Sequence, residues 1–228
     1  MMNDKQLLAR QVAGLVEEGM LVGLGTGSTA NCFIEELARR SSEEGLNITA
    51  VASSMVSAIK ARQLGLALQA IEHVQHLDLY VDGADEVAPD LTLLKGRGYD
   101  LVREKLLARG CDRFLVLVDS SKLVERIGER YPVPVEILPF AWPLVIKSLE
   151  AVGGHGALRQ NANKDGLTVT SHGSLVLDMV FPPELDSETL NDLLNAMPGV
   201  VEHGIFQGLA SAVFIADQGR VEERWAAQ

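Results

Sequence analysis

Side chains able to move a proton are concentrated in one stretch, residues 80–105. The apolar alternation over residues 77–81 predicts a strand that delivers Asp82 and, on the glycine-bearing turn after it, Asp85. Carboxylates at the end of a strand can exchange protons with a substrate or orient its hydroxyl groups. This stretch is therefore the predicted active site.

A loop with a lysine and two glycines follows a second apolar run, residues 91–94, which predicts another strand. The loop reads Lys95-Gly96-Arg97-Gly98. Ammonium and main-chain N–H groups are the donors that stabilise negative charge developing on oxygen. The loop therefore predicts the electrophilic half of a proton-transfer reaction.

Glu104 is the predicted base of that reaction. It lies in a pattern of helical spacing from Tyr99 to Arg109, and Gly110 is expected to end the helix in the left-handed conformation. Its neighbours at three and four residues are mainly apolar, which should desolvate the carboxylate and raise its pKa, as suits a base near neutral pH. The alternative is an exposed glutamate paired with a basic neighbour such as Lys105.

A hydroxyl-rich glycine turn follows an earlier strand, residues 21–24, and leads into a helix. It reads Gly25-Thr26-Gly27-Ser28-Thr29. Main-chain N–H groups at a helix N-terminus, with added hydroxyls, predict a phosphate site; the alternative is a structural tight turn. The turn lacks the lysine of a Walker loop and the spacing of a dinucleotide loop. Lys5 either leans toward a phosphate or is simply solvated.

The order of the remaining elements predicts an α/β fold. Lys122 follows a strand at 114–118, and in an open parallel sheet the carboxyl ends of strands would gather Thr26, Asp82, Lys95 and Lys122. Further helices are predicted at 4–18, 58–64, 142–152 and 187–196. Further strands are predicted at 48–51, 66–70, 133–138, 157–159, 167–170 and 175–181, after Gly199, and at 212–216 and 221–225, the last two returning to the first sheet.

A proline-rich segment beginning at Tyr131 predicts a domain boundary. The predicted division is a main domain of residues 1–130 plus about 206–228, and a small α+β domain of residues 131–205. The second domain offers few candidate catalytic groups.

Composition excludes several classes of protein. A formal charge of −11 without a basic patch argues against binding to nucleic acid or an anionic membrane surface. No apolar run approaches the roughly twenty residues of a membrane span, and the N-terminus lacks a signal-peptide core, so a cytoplasmic protein is expected. Cys32 and Cys111 are expected to be free thiols, and His73 and His76 are not expected to bind a metal.

Several motifs in fixed order resemble the A-type ribose-5-phosphate isomerases. They are Gly25-Thr-Gly-Ser-Thr29, Asp82-Gly83-Ala84-Asp85-Glu86, Lys95-Gly-x-Gly98, Arg103-Glu104-Lys105, Asp119-x-Ser-Lys122, Val133-Pro-Val-Glu136 and Pro198-Gly-Val200. The resemblance implies interconversion of ribose 5-phosphate and ribulose 5-phosphate in the pentose phosphate pathway, with no metal or other cofactor. It also implies a Rossmann-like main domain, a ferredoxin-like small domain and a homodimer or homotetramer.

The resemblance also implies residue roles. Glu104 would accept the proton, with Asp82, Asp85 and Lys95 as its catalytic partners. Substrate contacts would come from Thr26, Gly27, Ser28, Thr29, Asp82, Gly83, Ala84, Asp85, Lys95, Gly96, Arg97, Gly98 and Lys122.

The loop departs from the family pattern, because Arg97, Tyr99 and Asp100 stand where small residues are usual. A positive φ at Arg97 would cost on the order of 1 kcal/mol; its side chain could instead reach the sugar phosphate or a neighbouring subunit. Met55 also replaces a residue that is often polar. The alternatives left open are an isomerase of another sugar phosphate and a non-catalytic sugar-phosphate sensor.

Overall fold

The computed structural model describes residues 3–98 and 100–227. Its helices are α1 (Asp4–Ala13), α2 (Ser28–Glu44), α3 (Met55–Gln63), α4 (Leu101–Arg109), α5 (Trp142–Ala151) and α6 (Ser187–Ala196). Its strands are β1 (Leu21–Leu24), β2 (Thr49–Ala52), β3 (Ala67–Leu68), β4 (Leu77–Asp82), β5 (Glu86–Val87), β6 (Leu93–Leu94), β7 (Cys111–Asp119), β8 (Val133–Ile137), β9 (His155–Leu158), β10 (Leu175–Val180), β11 (Val200–His203), β12 (Ile205–Phe206), β13 (Ala212–Asp217) and β14 (Arg220–Trp225).

Packing divides the chain into two compact units. The first consists of Met1–Ala84, Arg103–Lys122 and Leu209–Gln228, and the second of Asp85–Val102 and Leu123–Gly208. The predicted division at Tyr131 stays a prediction; by packing, ranges 85–102 and 123–130 fall in the second unit. The reason is local, because β5 and β6 pair within a small sheet of that unit and Glu86 binds the backbone at Gly128.

The first unit is built on a seven-stranded sheet in the order β14-β13-β7-β4-β1-β2-β3. Neighbouring strands are parallel except for the β13–β14 hairpin, which returns to this sheet as predicted. The strand order reverses between β1 and β4, and open sheets of this kind bind ligands at that switch point. Buried Leu and Val side chains on β1 and β4 pack against apolar faces of α1 and α2 to form the core.

The second unit contains a four-stranded antiparallel sheet in the order β11-β8-β10-β9. With α5 and α6 it has the β-α-β-β-α-β connectivity of ferredoxin-like folds. Alternation on β8 places Val133, Val135 and Ile137 in the core. The strands β5, β6 and β12 form a separate antiparallel sheet of three short strands. The predicted pairing of a parallel-sheet main unit with a small α+β unit is confirmed.

Three local predictions were wrong. Helix α1 ends at Ala13 instead of continuing to residue 18, because the chain tightens into i to i+3 hydrogen bonds beyond Gly14. Residues 167–170 form only isolated bridges instead of a strand. Helix α4 does end before Gly110, but this glycine has no positive φ, and its N–H completes an ordinary helical bond to Leu106.

The predicted start of α4 at Tyr99 lies outside the described residues. Within the described part of the chain, no helix combines the length and the apolar character that spanning a membrane requires.

Candidate active site

The first glycine turn is shaped by close packing between β1 and β4. Gly23 lies in β1 and Gly25 directly follows it. A Cβ at Gly25 would lie 2.6 Å from the Cβ of Asp82. At Gly23 a Cβ would lie 2.6 Å from the Tyr80 ring. Since neither site has space for a side chain, glycine here lets the turn pass directly over Asp82.

Asp82 is a buried carboxylate, 1% exposed, that organises this turn. Its Oδ1 accepts hydrogen bonds from the N–H groups of Thr26 (3.1 Å) and Gly83 (2.8 Å), and its Oδ2 accepts one from the Tyr80 hydroxyl at 2.5 Å. These bonds fix the carboxylate at the carboxyl end of β4. The predicted catalytic Asp82 thus also has a clear positioning task.

A cluster of hydroxyls lies under the turn. The Thr26 Oγ1 lies 3.1 Å from Ser53 Oγ, 2.7 Å from Ser54 Oγ and 3.1 Å from Ser57 Oγ. All three serines are buried, and Ser57 donates to the Gly25 carbonyl at 2.6 Å. Ser54 also caps α3, where its side chain accepts from the Ser57 N–H. Its contact with the turn could not be predicted from the spacing of residues in the sequence.

The N-terminus of α2 is open. Gly27 is its N-cap with a φ of 111°, and among the described residues no side chain caps the first turn, which carries no acidic residue. Lys5 Nζ donates to Ser28 Oγ at 2.8 Å, so the lysine does lean toward this turn. Uncapped N–H groups, the helix dipole and a nearby ammonium group together attract an anion.

Glu104 lies on α4 and is 6% exposed, which excludes the surface-glutamate alternative. The charge of Glu104 acts on Tyr80: burial raises the pKa of the Tyr80 phenol well above its ordinary value, and the negative charges of Asp82 and Glu104 raise it further. A buried glutamate and a buried aspartate therefore act on one phenol within the first unit. Carboxylates held out of water in this way are typical of catalytic sites.

Lys122 ends a short 3₁₀ turn that follows β7. Asp119 starts that turn and accepts from the Ser121 N–H at 3.0 Å. Burial opposes ionisation of Asp119, but the bonds from Ser121 and the charge of Lys122 leave its pKa below the ordinary value. Thr26, Asp82 and Lys122 thus follow β1, β4 and β7 at the carboxyl edge of the parallel sheet, as predicted.

Lys95 does not follow a strand of that sheet, so this part of the prediction was wrong. It follows β6, which pairs antiparallel with β5 and β12 in the second unit. An apolar run of four residues does not reveal which sheet a strand joins, and only Leu93 and Leu94 form the strand because Leu91 takes a positive φ of 63° in a turn. Lys95 is 4% exposed, and its ammonium lies 5.6 Å from the centroid of the Phe206 ring.

The loop after Lys95 has a defined conformation. Gly96 has a φ of 97°, whereas Arg97 has no positive φ, so the strain considered for an arginine there does not arise. The Arg97 guanidinium instead lies over the Tyr131 ring, 4.1 Å from its centroid. The carbonyls of residues 96–98 accept hydrogen bonds from Arg159, a residue that the sequence did not single out.

The remaining predicted residues connect β4 to β5. Gly83 and Ala84 are half-buried and close the first of the three segments of the first unit. Asp85 begins the second unit, and its N–H donates to the Leu94 carbonyl at 2.8 Å. Asp85 is half-buried as well. Its predicted catalytic role stays a prediction.

Glu86 has a structural task. It is fully buried and accepts from the N–H groups of Gly128 (2.7 Å), Arg130 (2.7 Å) and Tyr131 (2.8 Å). A carboxylate satisfied by three main-chain donors holds the 128–131 segment in place.

His76, the second histidine of the HxxH pair, lies 3.0 Å from Asp112. His76, Asp112 and Asp78 form a cluster whose ligand atoms lie within 4.8 Å of one another, a spacing that could hold a cation. Asp78 and Asp112 stand near the amino ends of β4 and β7, opposite the edge that carries Asp82 and Lys122. His76 and Asp112 are exposed, and this cluster is separate from the candidate site.

Comparison with known proteins gives a consistent result. The family model described as ribose 5-phosphate isomerase A (phosphoriboisomerase A) matches residues 49–220. Ribose-5-phosphate isomerase A from Thermosynechococcus vestitus is 42% identical over 214 residues, covering 93% of this chain and 91% of that protein.

Two solved structures share the whole fold. Ribose 5-phosphate isomerase A from Methanocaldococcus jannaschii superposes with a TM-score of 0.92 at 36% identity, covering 97% of this chain and 98% of that one. A D-ribose-5-phosphate isomerase in complex with phospho-erythronic acid superposes with a TM-score of 0.93 at 35% identity, covering 98% and 100%. The fold class and enzyme class predicted from the motifs are confirmed, and the chain belongs to the ribose 5-phosphate isomerase A family.

Proposed function

We propose that this chain interconverts D-ribose 5-phosphate and D-ribulose 5-phosphate by proton transfer through an enediolate, with Glu104 as the base. The observation that carries this proposal is the burial of Glu104, whose charge acts on the buried Tyr80 phenol, on a helix of a chain from this family. Removing a proton from carbon needs a base whose carboxylate is poorly solvated and therefore more basic.

The reaction follows from the roles of the groups. The Glu104 carboxylate takes the proton from C2 of the open-chain aldose, and the C2–H electron pair forms the C1=C2 bond while the carbonyl π pair moves to O1. The protonated glutamate then returns a proton to C1, the O2 hydroxyl loses its proton, and O1 gains one. The net result is a ketose at C2 with no change in the number of atoms or electrons.

The negative charge on oxygen requires donors. We assign this task to the Lys95 ammonium and to main-chain N–H groups of Gly96, Arg97 and Gly98, with Asp82 and Asp85 binding hydroxyl groups of the sugar. Hydrogen-bond donors aimed at a developing oxyanion supply a large part of the rate enhancement in many enzymes.

The substrate phosphate is assigned to the N-terminus of α2. The open N–H groups, the Ser28 and Thr29 hydroxyls and the Lys5 ammonium offer complementary donors. We include Lys122 as a further cation for the substrate. The Thr26 hydroxyl and N–H already have partners within the first unit, so its contribution is to hold the turn in shape.

The test is a turnover assay with ribose 5-phosphate in the presence of a chelator, comparing wild type with Glu104→Gln. Wild type should be active without a metal, and the variant should lose at least about 10³-fold in kcat because the amide cannot accept a proton. Binding of phospho-erythronic acid, the ligand named for the solved relative, should persist in the variant. Glu36→Gln, at a half-buried glutamate in the middle of α2 that pairs with Arg39, is a matched control that should keep full activity.

Two outcomes would overturn the assignment. A Glu104→Gln variant with wild-type turnover would remove the base. A requirement for a divalent ion would remove the metal-independent mechanism. A panel of other aldose phosphates would distinguish this substrate from the alternative of a different sugar phosphate, and binding without turnover in wild type would indicate a sensor.

We also propose that the protein is a homodimer or homotetramer that works in the cytoplasm. Large apolar side chains are exposed on α3 of the first unit, including Met55 (67%), and around α5 of the second unit, including Phe140 (82%). Exposed apolar groups of this size are typical of subunit interfaces. Light scattering on the purified protein measures the assembly, and a monomer at micromolar concentration would contradict it.

A further inference from the structure

Arg159 binds three successive carbonyl groups of the loop that follows Lys95. It stands directly after β9, and its Nη1 donates to the carbonyl oxygens of Gly96 at 3.0 Å, Gly98 at 3.1 Å and Arg97 at 3.5 Å. All of these residues lie in the second unit. One NH₂ group of the guanidinium thus faces the carbonyls of three consecutive residues, and its two hydrogens make the shorter bonds to Gly96 and Gly98, with Arg97 as the weakest of the three contacts.

The guanidinium itself is fixed by Asp178 on β10. Arg159 Nε and Nη2 donate to the two carboxylate oxygens at 2.9 Å and 2.5 Å, a fork geometry that sets the plane of the guanidinium. The register pairs Asp178 with Ala157, so Arg159 is its diagonal neighbour on the same face of the sheet. Both side chains are largely buried, at 14% and 27% exposed, which protects the pair from screening by water.

The orientation of the carbonyls determines where the N–H groups point. In a trans peptide the C=O and the N–H of the next residue point in opposite directions. Because the carbonyls of Gly96 and Arg97 face Arg159, the N–H groups of Arg97 and Gly98 face away from it. Gly96 makes this possible through its positive φ of 97°, and a Cβ there would meet Leu101 at 2.8 Å.

We propose that Arg159 is a positioning residue that presents the amides of the Lys95–Gly98 loop to the oxyanion of the substrate. This inference rests on the proposed function, since it names the residue that holds that function's donors in place. Arg159 acts through the loop and not by contact with the reacting atoms. Its loss should therefore reduce kcat more than it raises KM, because the donors act on charge that develops in the transition state.

The experiment compares Arg159→Gln with Arg40→Gln. Arg40 is a matched control in the first unit, since it also donates to main-chain carbonyls, those of Ala13 and Val16, and pairs with a carboxylate, Glu44. Arg159→Gln should lower kcat about 100-fold, the scale expected when catalytic donors are misplaced by about 1 Å. KM should change much less, and Arg40→Gln should keep wild-type kcat.

Chemical rescue separates positioning from a loss of structure. Arg159→Ala leaves a space for a guanidinium ion, and millimolar guanidinium should restore part of kcat in this variant but not in Glu104→Gln. Asp178→Asn, which keeps the arginine but loses half of its fork, should give an intermediate kcat. Equal kcat in wild type and Arg159→Gln, or a fall in activity explained wholly by KM, would overturn the proposal.

Hydrogen exchange provides a readout that does not depend on turnover. Peptides that cover the Lys95–Gly98 loop should exchange faster in Arg159→Gln than in wild type or Arg40→Gln, because the loop loses its anchor. Unchanged exchange would overturn the anchoring role even if wild type had no activity on ribose 5-phosphate. That last result would instead count against the proposed function.

Discussion

The two glycine loops of this chain are held by opposite charges. In the first unit the Asp82 carboxylate accepts from the N–H groups of Thr26 and Gly83. In the second unit the Arg159 guanidinium donates to the carbonyls of residues 96–98. Each anchor is buried or nearly so and makes several bonds, so each loop has one preferred conformation.

The sign of the anchor decides which main-chain groups are left for a ligand. A carboxylate engages N–H groups, so the groups left for the proposed phosphate at the first turn are the open N-terminus of α2 and hydroxyls such as that of Ser28. A guanidinium engages carbonyls and turns N–H groups outward, as at Arg97 and Gly98. The first arrangement suits a permanent phosphate charge, and the second suits a charge that appears during reaction.

Among the groups that hold the two loops, the largest effect is expected at the anchor of the first turn. Asp82→Asn keeps the shape but replaces one acceptor oxygen by an NH₂ group, so at least one N–H or hydroxyl donor loses its partner. We expect kcat/KM to fall by about 10²–10³-fold, the loss seen when a preorganised electrostatic group is removed. Steady-state kinetics measure it.

Tyr80→Phe is the matched control for that change. It removes only the hydroxyl that donates to Asp82 Oδ2 and leaves both main-chain bonds in place. Its effect should be about tenfold, the lower end of the range of about 1.5–3 kcal/mol for one hydrogen bond to a charged group, because both main-chain bonds to the carboxylate remain. If Asp82→Asn were no worse than Tyr80→Phe, the carboxylate would not be the anchor of the turn.

Sequence predicted the first loop far better than the second. Strand, glycine turn and helix are local patterns, and Asp82 stands in the same motif as the residues that would do chemistry. Both anchors lie more than fifty residues from the loops that they hold, but Arg159 stands in a segment that was predicted to hold few catalytic groups. A charged residue within an otherwise apolar strand, Asp178 in LVLDMV, is the one signal that could have indicated a buried partner.

The placement of Lys95 shows another limit of prediction from sequence. Two apolar residues before it indicate a strand, but pairing depends on which distant strand is available, here β12 at Ile205 and Phe206. The hydroxyl cluster around Thr26 was missed for the same reason, since Ser53 and Ser54 follow another strand, β2, and Ser57 lies in the first turn of α3. The spacing of residues along the chain predicts helices and strands, whereas contacts between segments distant in sequence become known only from the structure.

Glu86 is a buried carboxylate with three main-chain hydrogen bonds, and we expect it to stabilise the fold instead of taking part in catalysis. Glu86→Ala leaves three buried N–H groups without their acceptor and should reduce the free energy of unfolding by about 3 kcal/mol or more. Glu86→Gln should lose less, because one oxygen still accepts. Denaturant titration measures both, and kcat per folded Glu86→Gln molecule should stay within a few-fold of wild type. A stable but inactive Glu86→Gln enzyme would make Glu86 a catalytic group.

Glycine has a different purpose in the two loops. Gly25→Ala places a Cβ against Asp82 and should cost about 1–3 kcal/mol of stability, the usual penalty for overpacking. Gly98→Ala is the matched comparison, because no described atom lies within 4 Å of the added Cβ and its φ is not positive. It should unfold at the wild-type temperature in a thermal melt. Equal melting temperatures for the two variants would contradict the tight packing at Asp82.

The smallest effect is expected at Glu136, a buried carboxylate that is only partly bonded. Its Oε1 accepts from Thr170 at 2.7 Å, whereas Oε2 has no partner within hydrogen-bonding geometry among the described residues. Burial raises the pKa of Glu136 above its ordinary 4.5, with the charge of Glu202 adding to the effect and the hydroxyls of Thr170 and Ser174 opposing it. Burial therefore favours the neutral form of the Glu136 carboxyl group, which has fewer hydrogen bonds than the Asp82 carboxylate.

The sign of the pH dependence follows from linkage. Well below pH 4.5 the glutamate is protonated in both the folded and the unfolded chain, so in that range its contribution to the free energy of unfolding does not change with pH. As the pH rises from 4.5 to the folded pKa, the unfolded chain releases its proton first, so this group lowers stability progressively across that window. Glu136→Gln removes the titration, so its melting temperature relative to wild type should rise from pH 4.5 up to the folded pKa of Glu136 and then level off. A difference that stays constant with pH would contradict the raised pKa of Glu136.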